Sequence, residues 1–269
     1  MAEPNTEYAE FSSIFLDGPS HASLGAISRW ADSIATQTAA FSSLHHSRAL
    51  EDLLHLFSTN AVNRKNVIEL LLSGEEWEKA VAHSRVRVFP SIMRVGRTSW
   101  GSHYEVVTSL GIPLGRVQTV MVAVDEETLT NPIPVPHAEL LKSKVRDVPS
   151  LEVPTVKHRG EALSITWHVE VRKTDCDSLG HLNNTVYATL MEDARHVAVQ
   201  SKKFPKLADT GTRLASIEYL GQPHAGDMLD IIVWWDDEVA ALGMEFAVKE
   251  EVVAKCVLSP WATPARAAL

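Results

Sequence analysis

Cysteine is scarce in this chain: 269 residues contain two, Cys176 and Cys256. Two cysteines cannot build a disulfide framework, and theirs is not zinc-finger spacing. Positive charge is also in deficit, with 25 Lys and Arg against 34 Asp and Glu and a net charge of −9. Such a balance argues against nucleic acid as a partner, because affinity for it comes mostly from clustered Lys and Arg. Nor is there a basic amphipathic face of the kind that rides on a membrane surface. No run approaches the ~18 apolar residues of a transmembrane helix. The opening MAEPNTEYAEF carries Glu3, Glu7 and Glu10 and lacks a positive n-region, so neither a signal nor a transit peptide is expected. A reducing, cytoplasmic location is the resulting expectation. The chain has no G-x-G-x-x-G and no phosphate loop, so no nucleotide cofactor is expected. Gly96-Arg-Thr-Ser99-Trp-Gly101 lacks the G-x-S-x-G spacing of a serine-hydrolase elbow. His45, His46 and His55 have no acidic or cysteine partner at ligand spacing, so no metal is expected.

What the chain does have is an ordinary globular composition, 45% hydrophobic and 22% charged. Its length fits one large domain or two small ones. The densest break is Asn131–Gly160, where five of 13 prolines fall, including Pro132, Pro134, Pro136, Pro149 and Pro154. Proline disrupts helices and sheet ladders alike. We therefore expect a first domain over residues 1–135, a linker over 136–160 with a short helix in HAELLKSKV, and a second domain over 161–269.

In the second part, Leu163, Ile165, Trp167, Val169 and Val171 alternate with polar residues, the period of a half-buried strand. The polar loop KTDCDSLGH follows. Between Leu182 and Ser201 the apolar Val186, Leu190, Ala194 and Val197 form one helical stripe. Leu214–Leu220, Met228–Trp235, Leu242–Val248 and Val252–Leu258 read as four further strands. One strand, one long helix and an antiparallel meander make an α+β unit whose sheet wraps the helix. The first part can be laid over this pattern. Setting His21 on His181 puts Asp17 on Asp177, while Arg85–Phe89, Arg97–Thr108 and Gly115–Val124 supply strands. Placing Gly96 on Gly226 requires an offset about 30 residues smaller, so a helical insertion is expected near residues 41–80. Its runs are Leu50, Leu53, Leu54 and Phe57, then Val67, Ile68, Leu70 and Leu71.

The sharpest local feature is Asp175-Cys-Asp177-Ser-Leu-Gly180-His181-Leu-Asn183-Asn184-Thr-Val-Tyr187, at a strand-to-helix junction. Unpaired N–H groups and the macrodipole at a helix N-terminus stabilise developing negative charge. A carboxylate just upstream can act as a nucleophile or as general base for a water. Gly180 allows close backbone approach, and Asn183 or Asn184 can cap the helix or hold a carbonyl. Together these parts suit acyl transfer. They equally suit plain helix capping by an Asp-x-Asp pair.

DCDSLGHLNNTVY resembles the D-x-D-x-x-G-H-x-N-N-x-x-Y signature of hot-dog-fold thioesterases, the group that includes 4-hydroxybenzoyl-CoA and acyl-ACP thioesterases. The resemblance implies two tandem hot-dog domains, each an antiparallel sheet wrapped around a long central helix. It implies an acyl thioester hydrolase in which Asp177 is the catalytic carboxylate and His181, Asn183 and Asn184 are its polar companions. Gly180, Leu182, Tyr187, Glu192 and, from the first half, Arg97 would face substrate, with Arg94 and Ser99 near Arg97. Asp17 and His21 match the motif, but Ala22-Ser23-Leu24 replaces the asparagine pair, which implies a degenerate second site. The implied partner is a small acyl thioester, with CoA or an acyl carrier protein as part of the substrate and no separate cofactor. A homo-oligomer is compatible with the family. The alternative implied by the eroded first half is a non-catalytic hot-dog protein that binds acyl groups or serves as an assembly subunit, since a fold does not fix an activity.

Overall fold

The computed structural model describes residues 9–11, 61–81, 84–128, 130–158, 160, 163–177 and 179–262. The described residues divide into two compact units at Leu151/Glu152.

The described strands of the first unit are β1 (Ala9–Phe11), β2 (Ala61–Leu70), β3 (Val86–Val95), β4 (Ser99–Thr108) and β5 (Pro113–Ala123). They pair antiparallel in the order β1-β3-β4-β5-β2. Helix α1 (Gly74–Val81) lies between β2 and β3. The second unit has β6 (Ser164–Glu170), β7 (Thr212–Tyr219), β8 (Met228–Asp236), β9 (Ala241–Val248) and β10 (Glu251–Pro260). Their order is β6-β8-β9-β10-β7, again antiparallel. Numbered within each unit, both sheets run first, third, fourth, fifth, second. The second unit's helix, α3 (Asn184–Ser201), packs against β6, β7 and β8.

The shared order corrects the expected helical insertion. Residues 61–70 form a strand, β2, and occupy in their sheet the place β7 holds in the other. Val67, Ile68 and Leu70 are compatible with either period, because a short apolar run does not separate a buried strand from a helix. Missing β2 slid every later strand of the first half by one place. Gly96 therefore lies in the β3–β4 turn, whereas Gly226 lies between β7 and β8. Residues 12–60, with Asp17, His21, the expected first-half helix and the runs at Leu50–Phe57, lie outside the described residues.

The proline-rich segment is fastened down. Its short helix, α2 (Ala138–Lys142), buries Leu141 in a cluster with Ile92, Trp100, Ala123 and Val135. Gln118 holds the segment's far end: its Nε2 donates to the Pro149 carbonyl at 2.7 Å and its Oε1 accepts the Leu151 N–H at 2.9 Å. On the second unit, Asp236 accepts the Lys157 N–H at 2.9 Å, and the His158 ring meets Trp234 edge-on at 4.6 Å.

The second unit's core lies between α3 and the sheet. Alternation puts Ile231, Val233, Met244, Phe246, Ala254, Cys256 and Ile217 on one face, all buried. Tyr187, Ala188, Met191, Ala194 and Ala198 of α3 are buried as well. Tyr187 touches Tyr219 and Phe246 at ring-centroid distances of 5.2 and 5.4 Å. At roughly 25 cal/mol per Å² of buried apolar area, aromatic packing of this kind is what holds helix to sheet.

Candidate active site

The chain leaves β6 at Glu170 and forms one 3₁₀ turn over Lys173–Asp175. Arg172 and Asp175 close that turn. The Arg172 backbone N–H donates to Asp175 Oδ2 at 3.0 Å, while Nε and Nη2 grip the two carboxylate oxygens at 2.9 Å each. These hydrogen bonds hold the Asp175 carboxyl below the usual carboxylate range.

Beyond Asp175 the chain folds back on itself as a small laced loop. Asn183 N–H donates to the Asp175 carbonyl at 2.9 Å, and Asp177 N–H to the His181 carbonyl at 2.8 Å. At its tip Gly180 has φ +80°, a left-handed conformation that favours glycine. Asp177 sits at the mouth, exposed, and its Oδ1 accepts the backbone N–H of Leu179 at 2.9 Å and of His181 at 3.1 Å. One carboxylate oxygen therefore fixes the loop, and the other, Oδ2, is left for a ligand or water.

Asn183 is the N-cap of α3, its Oδ1 accepting from Thr185 N at 2.9 Å and Thr185 Oγ1 at 2.8 Å. Asn184 opens the helix, and its carbonyl accepts the Tyr219 hydroxyl at 3.3 Å. Leu182 is buried, and its N–H donates to the Pro223 carbonyl at 2.8 Å. This bond stitches the loop to the β7–β8 connection.

That connection brings in a residue the sequence analysis missed. His224 pairs with His181 as an isolated antiparallel bridge, and their rings meet edge-to-face at 5.0 Å. Asp227 Oδ2 accepts the His224 N–H at 2.8 Å. Nothing in the local pattern around His224 marks it, because its partner is 43 residues away in the chain.

Asp177, Gly180, His181 and Asn183 are thus gathered at the start of α3, with Leu182 beneath them. Glu192 lies farther along the helix and makes a separate cluster. Its Oε2 accepts from Arg195 Nε at 3.4 Å, and Arg195, itself buried, donates through Nη1 to Asp209 at 2.6 Å. Glu192 Oε1 is buried without a partner. Burial pushes the Glu192 carboxyl up, against the pull of Arg195. Tyr187 is sealed in the core with its hydroxyl unpaired, and burial raises that phenol too. Arg97 belongs to the first unit, exposed on the β3–β4 turn, where its carbonyl accepts the Val135 N–H at 2.9 Å.

The loop that carries Asp177 thus leads into the N-terminus of α3, and the His181 and His224 rings meet in the same stretch. Residues 179–235 match the thioesterase superfamily. Among solved structures, this chain resembles an acyl-ACP thioesterase from Bacteroides thetaiotaomicron with TM-score 0.69 and 16% identity, covering 94% of this chain and 96% of that one. It also resembles a 12:0-ACP thioesterase from Umbellularia californica, with TM-score 0.65 and 14% identity over 94% and 95% of the two chains. At these identities the likeness is one of fold. No curated protein matches the chain in sequence. Among the described residues, no cluster of His, Cys, Asp and Glu has the makings of a metal site. No described helix is long and apolar enough to cross a membrane.

Proposed function

We propose that this chain hydrolyses acyl thioesters, acyl-CoA or acyl-ACP, at the loop that opens α3. The observation that supports the reading is the exposed Asp177 carboxylate, anchored through Oδ1 to two backbone amides in the loop that leads into α3. In the proposed reaction Asp177 takes a proton from a water, whose oxygen attacks the thioester carbonyl carbon. The carbonyl becomes a tetrahedral oxyanion, stabilised by the helix N-terminus. Collapse breaks the carbon–sulfur bond, and the thiolate leaves with the proton held on Asp177. The products are a carboxylic acid and a free thiol, so atoms and charge balance without a separate cofactor.

The test is a hydrolysis panel of aryl-, short- and long-chain acyl-CoAs and acyl-ACP, run on the parent, Asp177→Asn and Glu192→Gln. Loss of a positioned general base reduces rate by roughly 10²–10⁴, and that loss is expected for Asp177→Asn. Equal rates in parent and Asp177→Asn would remove Asp177 from the mechanism, and a large loss confined to Glu192→Gln would move the chemistry to the buried carboxylate. The second reading, a non-catalytic acyl-binding or assembly protein, is favoured by Asp177 being exposed and already engaged in shaping its own loop. A parent that turns over no thioester above background, while still binding acyl-CoA, would establish that reading instead.

A further inference from the structure

The two imidazoles in the Asp177 stretch have fixed backbones and uncommitted rings. The His181 N–H donates to Asp177 Oδ1 at 3.1 Å, and its carbonyl accepts the Asp177 N–H at 2.8 Å. The His224 N–H donates to Asp227 Oδ2 at 2.8 Å, and its carbonyl accepts the Asp227 N–H at 3.0 Å. The turn carrying His224 is also tied to Val171, just past β6. Gly226 N–H donates to the Val171 carbonyl at 2.8 Å, and Val171 N–H to the Asp227 carbonyl at 2.9 Å. The ring nitrogens of both histidines, by contrast, hydrogen-bond to no described residue.

The torsion that turns an imidazole about its Cβ–Cγ bond is broad, so a ring without a hydrogen bond relies on packing to fix its plane. For His181 that packing includes the His224 ring, met edge-to-face with centroids 5.0 Å apart, a favoured aromatic geometry. His181 is half-buried and His224 exposed, which makes His224 the outer member of the pair. Donors are in demand here. The amides of residues 179–183, 185 and 186 already donate to Asp177, Pro223, Asp175 and Asn183. An oxyanion forming at this loop therefore draws on a side-chain donor as well as on the helix dipole, and such a donor is effective when it is held in place beforehand. A neutral imidazole carries one N–H that can serve.

We propose that His224 is a positioning residue of the thioester site: its ring holds the plane of His181, whose ring N–H bonds the thioester carbonyl oxygen as negative charge develops there. The inference rests on the thioesterase reading for the reaction, and on the second unit's own contacts for the geometry. His224 acts through the surface of its ring, and its nitrogens take no part.

Three substitutions separate the ring from its nitrogens. His224→Phe keeps an aromatic ring, His224→Gln keeps a polar group without the ring, and His224→Ala keeps neither. In acyl-CoA hydrolysis, His224→Ala and His224→Gln should lower kcat by about tenfold with KM little changed, a loss within the range that a small misplacement causes. His224→Phe should stay close to the parent. In a His181→Ala background, adding His224→Ala should cost nothing further, because coupled residues are not additive. Full kcat in His224→Ala, a loss in His224→Phe as deep as in His224→Ala, or additive losses in the double variant would each overturn the inference. Ring-proton NMR of His181 gives a readout that does not depend on turnover. Its ring-current shift should vanish in His224→Ala and persist in His224→Phe. A parent that hydrolyses no thioester yet shows this pattern rejects the hydrolase and upholds the positioning of His181. A parent that hydrolyses thioesters, with His224→Ala at full kcat, rejects the positioning and leaves the hydrolase standing.

Discussion

Gly243 on β9 is a residue whose side chain is dictated by its neighbour. A Cβ placed there would run into the indole ring of Trp234, its cross-strand partner on β8. Gly101 on β4 stands in the same relation to Arg94, whose Cγ would lie 3.0 Å from an added Cβ. Gly243→Ala is therefore expected to destabilise the protein by about 1–3 kcal/mol, the usual penalty of forcing bulk into a packed site, and thermal denaturation would register it as a lower Tm. Gly101→Ala should be milder, since the Arg94 side chain is exposed and free to give way. His103 offers a second prediction at this scale. Burial holds its imidazole below the ordinary 6.5, with Glu105 pulling the other way and Arg116 adding to the depression. The groups facing it are Ser91 on β3, Gln118 on β5 and Glu105 on its own strand. The unfolded chain takes up this proton near the ordinary value while the folded protein resists it. Stability present above that value is thus lost as pH falls below it, down to the folded value. His103→Gln should flatten this part of the Tm–pH curve, and a slope identical to the parent's would assign the loss to other groups.

At the scale of elements, α3 matters most, because its first turn is both a structural joint and the proposed site. Asn183 caps it through two bonds from Thr185, and replacing an N-cap asparagine by alanine typically costs about 1 kcal/mol. Asn183→Ala is expected to lower stability by about that amount and to reduce thioester turnover more than the stability change accounts for. Tm and kcat measured on the same preparation check this. If turnover falls only in proportion to the folded fraction, the cap is structural alone. That a helix stands here was legible in sequence from its apolar spacing and asparagine pair, but its buried face was not, since Tyr187, Ala188, Met191, Ala194, Arg195 and Ala198 are buried while Val186, Leu190 and Val197 are half-buried; the strands of the second unit were legible from their alternation and the turns between them. β2 was not, because Val67, Ile68 and Leu70 carry no period that a helix would refuse. Sheet order resolved it, since a strand at that place completes the same arrangement seen in the second unit.

At the scale of the whole molecule, the segment that leads from the first unit into the second is clamped at each end by a side chain of the unit it crosses. Gln118 holds Pro149 and Leu151, and Asp236 holds Lys157. Gln118→Ala removes both bonds of the first clamp. The Leu151 amide should then exchange hydrogen markedly faster than in the parent, by about tenfold for roughly 1.4 kcal/mol lost, while amides in β9 and β10 keep their protection. Uniform acceleration throughout would mean that the clamp contributes to global stability rather than to this segment. Prolines announced the segment, but the residues that grip it come from strands far away in sequence, and no local pattern marks Gln118 or Asp236 for the task.

The sequence by itself determined the α+β class, the capped helix and the motif loop, because periodicity, capping and turn chemistry act among neighbours along the chain. Its deficit of cysteine and of positive charge also narrowed the chemistry before any fold was known. Tertiary structure decided what depends on distant residues meeting. It placed His224 against His181, left Asp177 with one oxygen committed to its loop, and buried Glu192 beside Arg195. Strand register and burial set those meetings, and both arise only when the sheets assemble.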